Sequence, residues 1–232
     1  IPAAMLAAAL LSLVLALPAL RVRGEYFVAA SLGLQVLAVT VFSEWKAFTG
    51  GLGGLIGIPP ASLFGHDVTD PVQFLLLALC GLVPVMLVTT ALLRTSFGRN
   101  LKAIRDSESA SYAFGKNVAA IKTLSVAISA ALAAIAGALY AFYIGFINVE
   151  SFMLNTSVLL MAMVIIGGTG TLLGPIVGTL LLMLLPSLFS YMTFLPQTQI
   201  GAIQQMAYGL AMVLLMIFRP GGIVGARARK SA

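Results

Sequence analysis

The chain has 232 residues, 60% hydrophobic and 9% charged, with a formal net charge of +6 and a mean hydropathy of +1.08. Soluble domains carry about 25% charged residues, so this composition excludes a soluble domain and makes the lipid bilayer the solvent for most of the chain. The excess of Lys and Arg reads as a marker of the cytoplasmic membrane face, not as a nucleic-acid-binding surface.

Taken in order, apolar runs bounded by polar residues or by Gly and Pro predict about seven transmembrane helices. They cover 3–20, 25–43, 72–93, 119–145, 156–173, 175–192 and 201–218. The expected fold is an all-α polytopic bundle with Gly-rich helix breaks, a single transmembrane domain over 1–232. The first run is not a signal peptide: no basic stretch precedes it, and Arg21 and Arg23 follow it. The chain opens at Ile1, already apolar, and is read as N-terminally truncated with at least one span lost upstream. The single Cys80 lies in the third run and reads as a small buried hydrophobe.

Between the second and third runs lies Thr49-Gly50-Gly51-Leu52-Gly53-Gly54-Leu55-Ile56-Gly57-Ile58-Pro59. A second Gly-rich stretch, Gly167-Gly168-Thr169-Gly170-Thr171-Leu172-Leu173-Gly174-Pro175, spans the end of the fifth run and the start of the sixth. Each glycine costs a helix about 1 kcal/mol, so both stretches should break helices. Two readings stand side by side. Such breaks line a substrate path in transporters, or 49–59 is an external loop and 167–175 a tight cytoplasmic turn. His66, the only histidine, reads as a solvated loop residue.

The most informative stretch is a charged island, residues 94–116. It holds Arg94, Arg99, Lys102, Arg105, Lys116, Asp106 and Glu108, and the stretches 72–93 before it and 123–149 after it contain no charged residue. It predicts a short helix from about Gly98 to Tyr112, with Leu101, Ile104 and Glu108 on one face. Lys102–Asp106 and Arg105–Glu108 are spaced to pair, and Gly115 is spaced to end the helix. With 21–24, 94–118 and 219–232 assigned to the cytoplasm, that side collects 12 of the 13 Lys and Arg, counting Lys122 at a helix end and leaving out Lys46, which is the positive-inside pattern. On charge alone the island reads either as a solvated loop or as a grip for a soluble partner. The run 127–141 carries Ala127, Ala130, Ala131, Ala134, Gly137, Ala138 and Ala141 on one side, spaced for close helix packing.

Ion-coupled carriers need ionisable residues inside the membrane. Here only Glu25 and Lys122 come close, both at span ends and read as interfacial anchors. There is no GxSxG serine elbow, no intramembrane aspartate pair and no GxxxxGK[ST] phosphate loop. The expectation is a non-enzyme with no catalytic residue, no metal site and no cofactor of its own.

At this point the residues match a family. Phe97-Gly98-Arg99-Asn100-Leu101-Lys102-Ala103-Ile104-Arg105-Asp106-Ser107-Glu108, followed by Ala113-Phe114-Gly115, resembles the cytoplasmic loop of LivM-type permeases of branched-chain amino-acid ABC importers. Arg23-Gly24-Glu25-Tyr26-Phe27, the Thr49–Pro59 stretch, Ser129–Tyr140, Glu150-Ser151-Phe152, the Gly167–Pro175 stretch and Phe218-Arg219-Pro220-Gly221-Gly222 are similar to other motifs of that family. The similarity spans roughly 21–225. Gly53 stands where a polar residue is common, and Phe114 where Leu is usual.

The resemblance implies inward transport of leucine, isoleucine or valine across a bacterial inner membrane. Urea or a short amide is the nearest alternative cargo, and an autonomous secondary carrier a more distant one. It implies cytoplasmic ABC ATPase subunits that consume ATP, a second related permease subunit and a periplasmic amino-acid-binding protein. It assigns ATPase coupling to Gly98, Arg99, Leu101, Ala103, Ile104, Arg105, Asp106, Glu108 and Gly115. It assigns the substrate pathway to Thr49, Gly50, Gly51, Gly54, Gly57, Pro59, Gly167, Gly168, Gly170, Gly174 and Pro175.

Overall fold

The computed structural model describes residues 1–20, 25–63, 66–68, 70–168, 170–190, 206, 209, 210, 223 and 224. The chain divides into two units, Ile1–Ser151 and Phe152–Ala232. Among the described residues three helical stretches are long and apolar enough to cross a membrane: Pro71–Arg94, Val118–Ile144 and Val149–Gly167.

In the first unit, α1 (Pro2–Leu20) and α2 (Glu25–Glu44) are followed by the short α3 (Lys46–Thr49) and a 3-10 turn, Gly51–Gly53. Next come three two-residue strands, β1 (Leu55–Ile56), β2 (Ser62–Leu63) and β3 (His66–Asp67), and then α4 (Pro71–Arg94). Pro71 suits the first helical position because its missing N–H would be unpaired there anyway. The charged island forms α5 (Ser96–Asp106) and α6 (Glu108–Ala113); α7 (Val118–Ile144) returns to β4 (Phe146–Ile147). Asn117 caps α7 by accepting from Ala120 N at 3.0 Å. Gly145, at φ 68°, ends it. β4 pairs antiparallel with β1, and β2 with β3.

Because α4 runs toward the island and α7 runs back, the unit has two functional ends. One carries the island. The other gathers the Gly-rich stretch, both strand pairs and the end of α7. α1 packs along α7, and the small residues predicted to allow close approach are buried or half-buried on α7. Phe74 of α4 meets Tyr143 of α7, with ring centroids 4.9 Å apart. Within α4, the Thr89 and Thr90 hydroxyls donate to the carbonyls of Val85 and Met86. That satisfies polar groups internally, as a bilayer requires. Cys80 is exposed rather than buried; in a lipid-facing helix, exposure to apolar solvent carries no penalty for a small hydrophobe.

A 3-10 turn, Val149–Phe152, ends the first unit and leads into α8 (Leu154–Gly167) of the second, which packs against α9 (Gly174–Ser190). Ala162, Met163, Ile166 and Leu182 form its buried cluster.

The structure adjusts several expectations. The fifth run, expected over 156–173, ends as a helix at Gly167, because the glycines after it turn the chain. The seventh run, 201–218, and the motif 218–222 lie outside the described residues apart from three positions. The island is two helices rather than one, broken where Ser107 is extended at φ −157° and ψ 110°. Glu108 pairs with Lys122 instead of Arg105, since the break swings α6 toward the start of α7. No Lys102–Asp106 pair forms among the described residues.

Candidate functional site

The island is anchored at three points. At its start, Gly98 lies directly against the backbone of Leu93, so that a β-carbon there would overlap the Leu93 carbonyl. This lets α5 fold sharply back from α4. Arg99 spans the bend, donating to Ser96 Oγ at 2.8 Å and to Arg94 O at 3.4 Å. In the middle, Ser107 Oγ accepts from Ala110 N at 3.2 Å, capping α6. At the end, Glu108 Oε2 meets Lys122 Nζ on α7 at 2.8 Å. Gly115 closes α6 at φ 72°, as its sequence position predicts.

This anchoring divides the candidate coupling residues by face. Gly98 is buried and Ile104 is 8% exposed, while Leu101 and Ala103 are half-buried. Ile104 therefore packs within the chain. Arg99, Lys102, Arg105 and Asp106 are exposed. On α5 the three basic residues recur every third position and share one face. The face offered outward is thus predominantly cationic. Phe114 stands 82% exposed beside it.

At the opposite end, the Gly-rich stretch is an ordered clasp. Thr49 Oγ1 donates to Phe42 O at 2.5 Å and to Trp45 O at 2.9 Å, and accepts from Gly51 N at 3.2 Å. This ties the end of α2 to the glycines. β1 then pairs with β4, with Leu55 opposite Ile147 and Ile56 opposite Phe146. Ile58 N donates to Gly145 O at 3.2 Å. Gly54 has φ 69°, and a β-carbon on it would overlap Ile147 O. Gly53 has open space around it.

Of the candidate pathway residues here, Pro59 lines an open cleft of about 370 Å³ with Pro60, Ala61, Ser62, Leu77, Leu139, Phe142 and Ile1. Thr49, Gly50, Gly51, Gly54 and Gly57 do not line it; apart from Gly57, around which there is open space, they build the clasp.

In the second unit, Gly167, Gly168, Gly170, Gly174 and Pro175 form the turn between α8 and α9. Thr171 Oγ1 accepts from Gly174 N at 3.1 Å and donates to Gly168 O at 3.2 Å. Pro175 sits in the first turn of α9, where it is tolerated. Gly167, Gly174 and Gly178 let the two helices meet backbone to backbone. The carbonyls of Ile166 and Gly167, orphaned at the end of α8, accept from Ile223 N and Val224 N, both at 3.0 Å.

Three features escaped the sequence reading. The Glu108–Lys122 pair was hidden by treating Lys122 as an interfacial anchor, although Asn117 signalled a helix start placing Lys122 within its first two turns. The β1–β4 pairing has no periodic signature. Gly178 sits in an unremarkable apolar run.

The family described as branched-chain amino acid transport system / permease component matches residues 1–219. The chain is 32% identical, over 97% of its length, to the high-affinity branched-chain amino acid transport system permease protein LivM of Escherichia coli (strain K12), of which 56% is covered. It is 31% identical to the LivM of Salmonella typhimurium, with the same coverage. Over 60% of its length it is 29% identical to a probable LivM of Methanocaldococcus jannaschii, covering 43% of that protein. The chain thus spans about half the length of the first two relatives. No solved structure matches it. With its apolar helices, its ordered glycine clasp and its folded charged island, the chain is membrane-embedded and belongs to the branched-chain amino acid transport system permease family.

Proposed function

We propose that this chain is the membrane-spanning part of a permease subunit in an ATP-driven importer, moving leucine, isoleucine or valine into the cytoplasm across a bacterial inner membrane. The observation that carries the reading is the island. A solvated loop needs no buried glycine contact, no serine cap and no ion pair to a spanning helix, whereas a surface that must receive force needs a fixed shape. Its outward face, Arg99, Lys102 and Arg105 with Asp106, is the docking face for cytoplasmic ABC ATPase subunits. These hydrolyse ATP; this chain catalyses no reaction and holds no cofactor. A second related permease subunit completes the pathway, and a periplasmic binding protein delivers the cargo.

In this orientation the island and the C-terminal tail are cytoplasmic and the glycine clasp faces the periplasm. The distribution of Lys and Arg supports it. The Ile223 and Val224 hydrogen bonds to the end of α8 support a cytoplasmic α8–α9 turn, since these two residues belong to the segment assigned to the cytoplasm by its Arg and Lys content.

A second reading keeps the machinery and changes the cargo. It is favoured by a 29% identity, over 53% of this chain, to the LsrC permease of Yersinia enterocolitica, whose name gives an autoinducer 2 import system; 36% of that protein is covered.

The test is reconstitution of the full-length subunit with its assembled partners in proteoliposomes, measuring ATP-dependent uptake of leucine and of competing cargos. Converting Arg99, Lys102 and Arg105 together to Glu should lower recovery of the ATPase by about tenfold or more, as expected for reversed interfacial charges, with membrane insertion intact. Undiminished recovery would sink the docking assignment. Leucine uptake without any ATPase would instead identify an autonomous carrier.

A further inference from the structure

The Glu108–Lys122 pair, the one salt bridge among the described residues, joins α6 to α7. Glu108 is the first residue of α6, the part of the island beyond the Ser107 break. Lys122 lies in the second turn of α7. The 27-residue α7 runs about 40 Å at 1.5 Å per residue to Gly145, where the clasp begins. There the backbone of α7's end is bonded to Ile58 and paired with β1, and Gly54 presses on Ile147. A helix held at both ends by specific contacts can pass displacement as a rigid body. Without the pair, only packing and the short loop at Gly115 and Lys116 would link the island to α7, and neither fixes α6 in direction as a charged contact does.

We infer that Glu108 and Lys122 are positioning residues that latch the island to α7, so that motion imposed on the island tilts α7 and shifts the glycine clasp at its far end. The inference rests on the proposed importer function. It deepens it by naming the route by which ATP-driven motion reaches the opposite membrane face. The neighbouring charges do not compete for the latch: Arg99 is engaged at the α4–α5 bend, and Lys102, Arg105 and Asp106 point outward from α5.

The experiment uses the assembled transporter with full-length subunit in proteoliposomes, reading leucine transported per ATP hydrolysed alongside ATPase retention in a pulldown. Glu108→Gln and Lys122→Met should each retain the ATPase but lower the transport-to-hydrolysis ratio about three- to fivefold, the scale of a half-exposed ion pair. Lys122→Arg, which keeps the charge, should stay near wild type. The exchanged variant, Glu108→Lys with Lys122→Glu, should recover most of the lost ratio. A wild-type ratio in both single variants would overturn the latch, as would a loss that neither Lys122→Arg nor the exchange spares. Failure of wild type itself to recruit an ATPase would overturn the importer reading and not the latch specifically.

Discussion

Gly178→Val will keep the α8–α9 hairpin from closing. Gly178 lies inside α9 with no unusual backbone angle, so the usual expectation is that any side chain would improve the helix by up to about 1 kcal/mol. The packing reverses that sign. A β-carbon at Gly178 would overlap Met163 O, and it would lie 2.8 Å from Gly167 N and 3.0 Å from Gly167 Cα. These are backbone atoms of the facing helix, which cannot rotate away as a side chain can. The helices must separate, which breaks the packing of Met163 and Leu182 in the buried cluster and the 3.6 Å contact from Thr179 Oγ1 to Met163 Sδ.

Overpacking of this kind costs about 3 kcal/mol or more, a large share of the 5–15 kcal/mol that typically holds a fold. Purified full-length Gly178→Val should melt on the order of 10 °C lower than wild type, or fail to run as a monodisperse species. Gly178→Ala should lie in the same direction. Gly33→Ala and Gly137→Ala, at helical glycines with nothing within 4 Å, should be neutral or slightly stabilising. Equal melting of Gly178→Ala and Gly137→Ala would remove the backbone contact from the account.

The contrast among these glycines shows where the sequence is readable. The apolar helices were legible because a bilayer imposes one requirement, about 20 apolar residues in a row: α1, α2, α4 and α7 begin and end within a few residues of the predicted limits, and of these α4 and α7 are long and apolar enough to cross a membrane. The glycine density at 49–59 and 167–175 announced interruptions correctly, and Gly115 announced a helix end. What those interruptions touch was not legible. Gly54 meets Ile147, distant in sequence, through a strand pair only two residues long, too short for any period to reveal.

The island illustrates the same limit at closer range. LKAIRDSESASYA reads as continuous helix, and the break at Ser107 was not anticipated. The break it creates decides that Glu108 faces Lys122 and that Ile104 turns inward. Composition located the candidate site; the partner of each residue depended on bends that composition does not encode.

The second large effect follows from the clasp. Gly54 is constrained twice: its φ of 69° lies in the left-handed region, which costs a residue with a β-carbon about 1–2 kcal/mol, and its missing side chain leaves room for Ile147 O. Filling that space adds about 1–3 kcal/mol of overpacking. Together the cost is roughly 2–5 kcal/mol, concentrated in a pairing of two residues per strand that has little else to hold it. The clasp should open in Gly54→Val while α4 and α7, whose contacts lie elsewhere, remain folded.

If the clasp shapes the periplasmic side of the pathway, leucine uptake should fall by more than about tenfold, since each 1.4 kcal/mol shifts such an equilibrium about tenfold. Gly53→Ser is the internal control. It changes the adjacent residue, which has open space around it, and uptake should stay within about twofold of wild type, in line with a surface substitution. Uptake is normalised to the amount of membrane-inserted protein, so that a folding defect is not read as a transport defect. Normal flux through Gly54→Val would mean that the clasp braces the fold and that the pathway lies elsewhere, leaving the cleft beside Pro59, Leu77, Leu139 and Phe142 as the next place to probe.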